Sequence, residues 1–131
     1  MYIPDGFGTV FPYIFASDAT AYLSFLERAF GAEVVGRTEM PDGTVANARV
    51  RIGTTTFMVS EARGEFKPSQ AAFYIYVEDA DQTHREALAC GADDIHAPRD
   101  MEEYGDRQGG VRDPSGNIWW ISTRVVHEPY D

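Results

Sequence analysis

Two hydrophobic rhythms alternate along the chain, and their order predicts its elements. Residues 9 to 16 alternate with period two: Val10, Pro12, Ile14 and Ala16 fall on one face, Phe11, Tyr13 and Phe15 on the other. That pattern predicts a strand with apolar residues on both sides. The period then lengthens. Asp18 is placed to cap a helix whose apolar positions Ala21, Tyr22, Phe25, Leu26 and Ala29 recur at helical spacing until Gly31 stops it. Glu33 to Glu39, Ala46 to Ile52 and Thr55 to Ser60 read as three more strands, with Pro41-Asp42-Gly43 as a tight turn between the first two. The first half is therefore β-α-β-β-β.

The same order returns after a polar stretch at 61–70, whose Gly64, Pro68 and Ser69 place a boundary near residue 68. It comprises a strand Ala71 to Val77, a helix from Asp79 or Asp81 to Ala89 and a strand around Asp94 to Ala97. A polar loop follows, then a strand around Gly109 to Asp113, the turn Pro114-Ser115-Gly116-Asn117 and a final strand Ile118 to Thr123. The residues themselves repeat. Ser17-Asp18-Ala19 and Phe30-Gly31-Ala32-Glu33 in the first copy answer Glu78-Asp79-Ala80 and Cys90-Gly91-Ala92-Asp93 in the second, which marks an internal duplication. The expected fold class is α+β: two tandem βαβββ units, about 7–64 and 70–124 of one domain spanning 1–131. Each helix would cover the outer face of a curved mixed sheet and leave the concave face for a second unit or a ligand.

A one-residue slip in a strand exchanges its faces, so the alternation has to agree across strands. Phe73, Ile75 and Val77 fall on the helix side with Ala48, Val50 and Ile52; Ala72, Tyr74 and Tyr76 fall on the concave side with Asn47, Arg49 and Arg51. The final strand turns Ile118, Trp120 and Ser122 inward. The concave, ligand-binding surface is thus read as Phe11, Tyr13, Phe15, Met58, Tyr74, Tyr76 and Trp120, with Arg49 and Arg51 at one side and Tyr104 added from the polar loop.

Composition narrows the partners. With 131 residues, 44% hydrophobic and 13% aromatic, the chain can bury roughly two-thirds of its unfolded surface. No apolar run approaches the roughly 20 residues of a membrane span, and Met1-Tyr2-Ile3-Pro4-Asp5-Gly6 lacks the order of a signal peptide, so a cytoplasmic location is expected. The formal charge of -10 argues against nucleic acid or an anionic membrane and leaves neutral or cationic ligands. The single cysteine, Cys90, is read as a packing residue.

The block Tyr104-Gly105-Asp106-Arg107-Gln108-Gly109-Gly110-Val111-Arg112-Asp113-Pro114-Ser115-Gly116-Asn117-Ile118-Trp119, with Phe30-Gly31-Ala32-Glu33 and Pro41-Asp42-Gly43, resembles the vicinal oxygen chelate superfamily. That group includes glyoxalase I, extradiol dioxygenases and bleomycin resistance proteins, and the resemblance is closest to its PhnB-like branch over roughly residues 7 to 124. In metal-using members, His, Gln or Glu ligands stand on the first and last strand of each unit. Carried over, the first-strand positions land on Phe11 and Ala72, seven residues before the helix caps, and the last-strand positions on Trp120 and, by the repeat, Met58. None offers a hard oxygen or imidazole donor, so the resemblance implies no metal and no cofactor.

What the resemblance then implies is a metal-independent protein that sequesters a flat aromatic, antibiotic-like compound, as a homodimer with shared cavities. The fold hosts unrelated activities, so an enzyme of lyase or isomerase type is the alternative. Its candidate residues are Glu61, His96, Tyr104, Asp106 and Arg107. The three histidines are too dispersed for a displaced metal site: His84 lies on the helix side and His127 in the tail, away from His96.

Overall fold

The computed structural model describes residues 1–130. Contacts divide the chain into two compact units, Met1–Ser69 and Gln70 onward. The first contains β1 (Tyr13–Ala16), α1 (Ala19–Phe30), β2 (Glu33–Glu39), β3 (Val45–Ile52) and β4 (Thr55–Glu61). The second contains β5 (Ala72–Tyr76), α2 (Ala80–Ala89), β6 (Asp93–Met101), β7 (Asp106–Arg112) and β8 (Ile118–Arg124). Each unit forms a four-stranded mixed sheet, ordered β1-β4-β3-β2 and β5-β8-β7-β6. The first strand of each runs parallel to the last, and the remaining pairs are antiparallel. This is the α+β arrangement of two tandem βαβββ units that the periodicities predict.

In the first unit, α1 starts where its unpaired N–H groups find carboxylates. Asp18 accepts from Ala21 N–H at 3.2 Å, while Glu61, at the end of β4, accepts from Asp18 N–H at 3.0 Å and Ala19 N–H at 2.9 Å. Glu61 thereby ties the last strand to the helix start. Gly31 closes the helix at φ +67 and donates its N–H to Glu27 at 3.1 Å. The buried stripe is Ala19, Tyr22, Leu23, Phe25, Leu26 and Ala29, which packs on a sheet face carrying Ile14, Ala48, Val50, Phe57 and Val59. Ala21, expected on that stripe, points to solvent, and Leu23 takes a place in it.

The first strand is shorter than its alternation predicts and is not buried on both sides. Residues 9–12 lie outside it, Val10 is 90% exposed and Tyr13 45% exposed. Pro12 has no N–H to give the ladder, and its carbonyl makes the last bond, from Met58 N–H at 3.1 Å. Because β1 is an edge strand, nothing extends it further.

In the second unit, Asp79 caps α2 by accepting from Gln82 N–H at 3.1 Å, and Ala80, His84 and Ala87 are buried beneath it. The expected polar loop contracts to a turn at 102–105, because β6 runs on to Met101 and β7 begins at Asp106. Gly109 and Gly110 lie within β7, in the strand read around Gly109 to Asp113, which starts three residues earlier than expected. A Cβ on Gly109 would stand 2.9 Å from the His84 ring, so a bare α-carbon lets α2 pack closely there. The Asp-Pro-Ser-Gly-Asn turn folds around one carboxylate: Asp113 accepts from Ser115 N–H, Asn117 N–H and the Trp119 indole at 2.9, 2.9 and 2.8 Å. Asn117 in turn accepts from Ala71 N–H at 2.9 Å, which anchors the entry to β5.

Candidate functional site

Each sheet presents one face to its helix, and the opposite, helix-free faces of the two sheets differ. In the first unit, Tyr13 and Phe15 project from β1 beside Met58 and Ser60 of β4, their register partners. Arg63 and Phe66 exchange backbone hydrogen bonds of 3.0 Å in both directions, a small hairpin that sets the Phe66 ring 5.3 Å from Phe15. The Tyr13 ring lies 5.2 Å from Phe15. Ser69 Oγ accepts from Phe15 N–H at 2.8 Å and holds the edge strand in place.

These rings line a cavity of about 420 Å³ that Met40 and Ala46 also border, with Ser60, Glu61 and Arg63 supplying its polar atoms. Tyr13 and Phe15 were legible from the alternation. Phe66 and Met40 were not, although Phe66 is the one aromatic residue in the polar stretch at 61–70.

Other expected residues of this unit lie outside the cavity. Phe11 precedes β1 and packs on Phe7 at 4.8 Å. Met58 accepts a hydrogen bond at its sulfur from the Asn47 amide at 3.4 Å. Arg49 donates to Asn47 Oδ1 at 2.8 Å, and its guanidinium rests where a side chain on Gly36 would stand. Arg51 donates to Thr56 at 3.3 Å and leans on Gly6. Both arginines serve the sheet surface and its flanking segment.

The free face of the second unit is built around a carboxylate. Asp106 is fully buried, and its Oδ2 accepts from three phenols: Tyr74, Tyr76 at 2.9 Å and Tyr130 at 2.9 Å. Arg124 Nη1 donates to Oδ1 at 3.1 Å. Burial pushes the Asp106 carboxyl up, but the bonds from Tyr74, Arg124, Tyr76 and Tyr130 together outweigh it and hold it below the usual carboxylate range. Burial, and then the bond to Asp106, pushes the Tyr74 hydroxyl up to about 12. Tyr76 is pushed further up, by burial and by its bonds to Tyr130 and Asp106. At neutral pH Asp106 is an anion beside the neutral phenols of Tyr74 and Tyr76, and none of these three groups is poised to exchange a proton near neutrality.

Deeper on this face, Gln108 donates to Ser122 at 3.3 Å, and the Trp120 ring lies across Gly110 and stacks with His96 at 5.9 Å. Trp120 stands beside Tyr74 in register, as expected of a concave-face residue. Tyr104 sits half-exposed in the 102–105 turn, where its carbonyl accepts from Arg124 at 2.5 Å. Arg107 points the opposite way, to the helix side, and grips Asp81 of α2 through two bonds of 2.7 and 3.0 Å. Its guanidinium is therefore not available to a ligand on the free face. His84 is on the helix side as expected, 4% exposed, with Nε2 at 3.0 Å from Asp94 Oδ1.

No group of three or more His, Cys, Asp or Glu among the described residues is placed to hold a metal ion. The positions that would carry ligands by resemblance hold Phe11, Met58, Ala72 and Trp120, whose side chains have no hard donor. A metal centre of the usual kind does not fit these residues.

The two repeated units, with free faces opposite their helices, define a class, and comparison with known proteins assigns the family. The model of the Glyoxalase/Bleomycin resistance protein/Dioxygenase superfamily matches residues 7–121, and the chain belongs to that superfamily. The chain is 29% identical to the uncharacterized protein Mb0911c of Mycobacterium bovis over 125 residues, covering 87% of this chain and 82% of the relative. The fold is shared with TioX from Micromonospora sp. ML1, at TM-score 0.71 and 24% identity over 86% of this chain and 95% of that one. It is also shared with glyoxalase I from Zea mays, at TM-score 0.70 and 16% identity over 87% of this chain and 43% of that one. Among the described residues no helix is long and apolar enough to cross a membrane.

Proposed function

We propose that this protein is a small-molecule binding member of the superfamily that holds a flat aromatic compound, of the resistance or self-protection type, without a metal. One observation carries this reading: the cavity of about 420 Å³ lined by Tyr13, Phe15 and Phe66. Its volume falls in the range that accepts a drug-sized molecule, and its walls are rings and a thioether with few polar groups, the usual make-up of such a site. Each ring pair with a ligand would contribute roughly 0.5–1.5 kcal/mol beyond area burial. The net charge of -10 adds long-range attraction for a cation. The motif block at 104–119 supports placement in the PhnB-like branch, and a homodimer is the expected assembly.

The enzyme alternative has less support. Glu61 caps α1, Arg107 grips Asp81, and Asp106 is held ionised inside its ring of donors, so three of its five candidates are committed to structural partners.

Proflavine, a flat fluorescent cation, tests the reading against 1-adamantylamine, a compact alicyclic cation. Saturable proflavine binding that adamantylamine does not displace is the expected result. Binding of neither, or equal competition by both, would contradict it.

A further inference from the structure

We infer that the free face of the second unit carries a recognition site for a neutral phenolic group, which the chain's own C-terminal Tyr130 fills in this structure. The inference extends the binding reading to a second place, with residues that do not line the cavity of the first unit.

The starting point is the inequality of the three phenols on Asp106 Oδ2. Tyr74 and Tyr76 belong to β5 and are fixed by its pairing with β8. Tyr130 comes from a tail beyond β8, and little else holds that tail. Val125 and Val126 N–H reach the Gly105 carbonyl at 3.0 and 3.3 Å, and the Glu128 carbonyl accepts from Arg124 at 2.6 Å. Tyr130 is itself 59% exposed. Its attachments are those a docked phenol would make: the hydroxyl donates to Asp106 at 2.9 Å beside the Tyr76 hydroxyl, and one ring face lies 4.6 Å from the Arg124 guanidinium carbon. A cavity of about 160 Å³ adjoins it, bordered by Tyr104, Arg124 and Val126 and by three carboxylates, Glu102, Glu103 and Glu128.

The charges select the ligand class. Asp106 Oδ2 keeps the Tyr74 and Tyr76 donors when Tyr130 leaves, and the place vacated beside them is one that another hydroxyl can occupy. An anionic ligand would meet Asp106 and the carboxylates of Glu102, Glu103 and Glu128 that border the adjoining cavity, and an aliphatic ammonium has no ring face to offer Arg124. A neutral hydroxyl donates to Asp106, and an attached aromatic ring offers its face to Arg124. A hydroxyaryl group satisfies both, and an aliphatic alcohol satisfies only the acceptor. The tail and such a ligand exclude one another, so the apparent affinity for a phenol is lowered by the fraction of time Tyr130 is docked.

The test titrates p-cresol into the intact chain and its Tyr130→Ala variant, following backbone amide shifts of β5, β7 and β8 by NMR. The expected result is roughly tenfold tighter p-cresol binding by Y130A, for a tail docked about nine-tenths of the time. Toluene, which lacks the hydroxyl, should show no such gain, and in the intact chain p-cresol should shift the Val125 and Val126 amides as the tail is displaced. Equal affinity of the two proteins for p-cresol, no saturable binding by Y130A, or the same gain for toluene would overturn the inference. Phe66→Ala separates the two readings. It should weaken proflavine binding and leave the p-cresol response of Y130A unchanged, so either site can fail without the other.

Discussion

Asp106 and Arg124 face one another directly across the β7–β8 ladder, and their side chains close an ion pair of 3.1 Å around a carboxylate with no solvent exposure. The pair supplies only one of the four donors on that carboxylate; the rest are phenols. This anion therefore organises one whole face of the second unit, and removing it takes a shared acceptor from the Arg124 guanidinium and three hydroxyls.

Asp106→Ala is expected to destabilise the fold by about 1.5–3 kcal/mol, the range for hydrogen bonds to a charged group, since the part-exposed Arg124 keeps the Tyr104 and Glu128 carbonyls. Asp106→Asn, which keeps an acceptor, should cost less. The pH dependence has a definite sign. The Asp106 carboxyl is held below the usual carboxylate range when folded, so its stabilisation is fully present above an unfolded value of about 3.9 and is lost as pH falls through the folded value. Urea unfolding at pH 7 and in acid should show the wild type losing more stability than D106N. An equal loss would remove Asp106 from the account of acid sensitivity.

Gly110 is required by the ring above it. A Cβ there would stand 2.5 Å from Trp120 Cζ3, so Gly110→Ala must displace the indole or the strand. A cost of about 1–3 kcal/mol is expected, as for overpacking elsewhere, together with a changed tryptophan emission spectrum as the stack with His96 opens. Unchanged emission and stability would show that Trp120 does not rest there.

Glu61 offers a separate test of structural against catalytic roles. Its carboxylate holds two N–H groups at the start of α1, so Glu61→Ala should lower stability by about 0.5–2 kcal/mol, like other lost caps. Thermal melts would read the loss. Full stability in the variant would free Glu61 for the chemistry that the enzyme alternative assigns to it.

Metal analysis is equally direct. Protein incubated with zinc or nickel and then desalted should retain no stoichiometric ion, because Phe11, Met58, Ala72 and Trp120 give none of the donors such a site needs. One tightly held ion per chain would contradict that reading of the four positions.

Much of the fold was legible because each half repeats its periods with clear stops. β2 at Glu33–Glu39 and the cap Asp18 fall where the pattern puts them, and Asp79 is the cap of the two starts, Asp79 or Asp81, that the pattern allows for α2. The faces of β5 and β8 were legible too, since one register fits both. Less could be read where a strand is made of residues that do not favour strands. Asp106-Arg107-Gln108-Gly109-Gly110 has no β-branched residue, and only its place between β6 and β8 makes it β7. At the other end, Thr9 to Pro12 alternates well but finds no partner beyond the Pro12 carbonyl.

The site was harder to read than the fold because its contacts are long-range. Tyr130 meets Asp106 across 24 residues, and Phe66 reaches Phe15 only through the hairpin at Arg63. Neither contact leaves a local signature in the chain.

The central claim is that the rings of the first unit make a binding site for a flat aromatic molecule, and proflavine binding to the wild type, Phe15→Ala and Phe66→Ala measures it most directly. The account predicts one saturable site in the wild type and a loss of affinity of roughly three- to tenfold for each ring removed, at thermal stabilities that confirm folded variants. Absence of saturable binding in the wild type, or unchanged affinity in both folded variants, would contradict it.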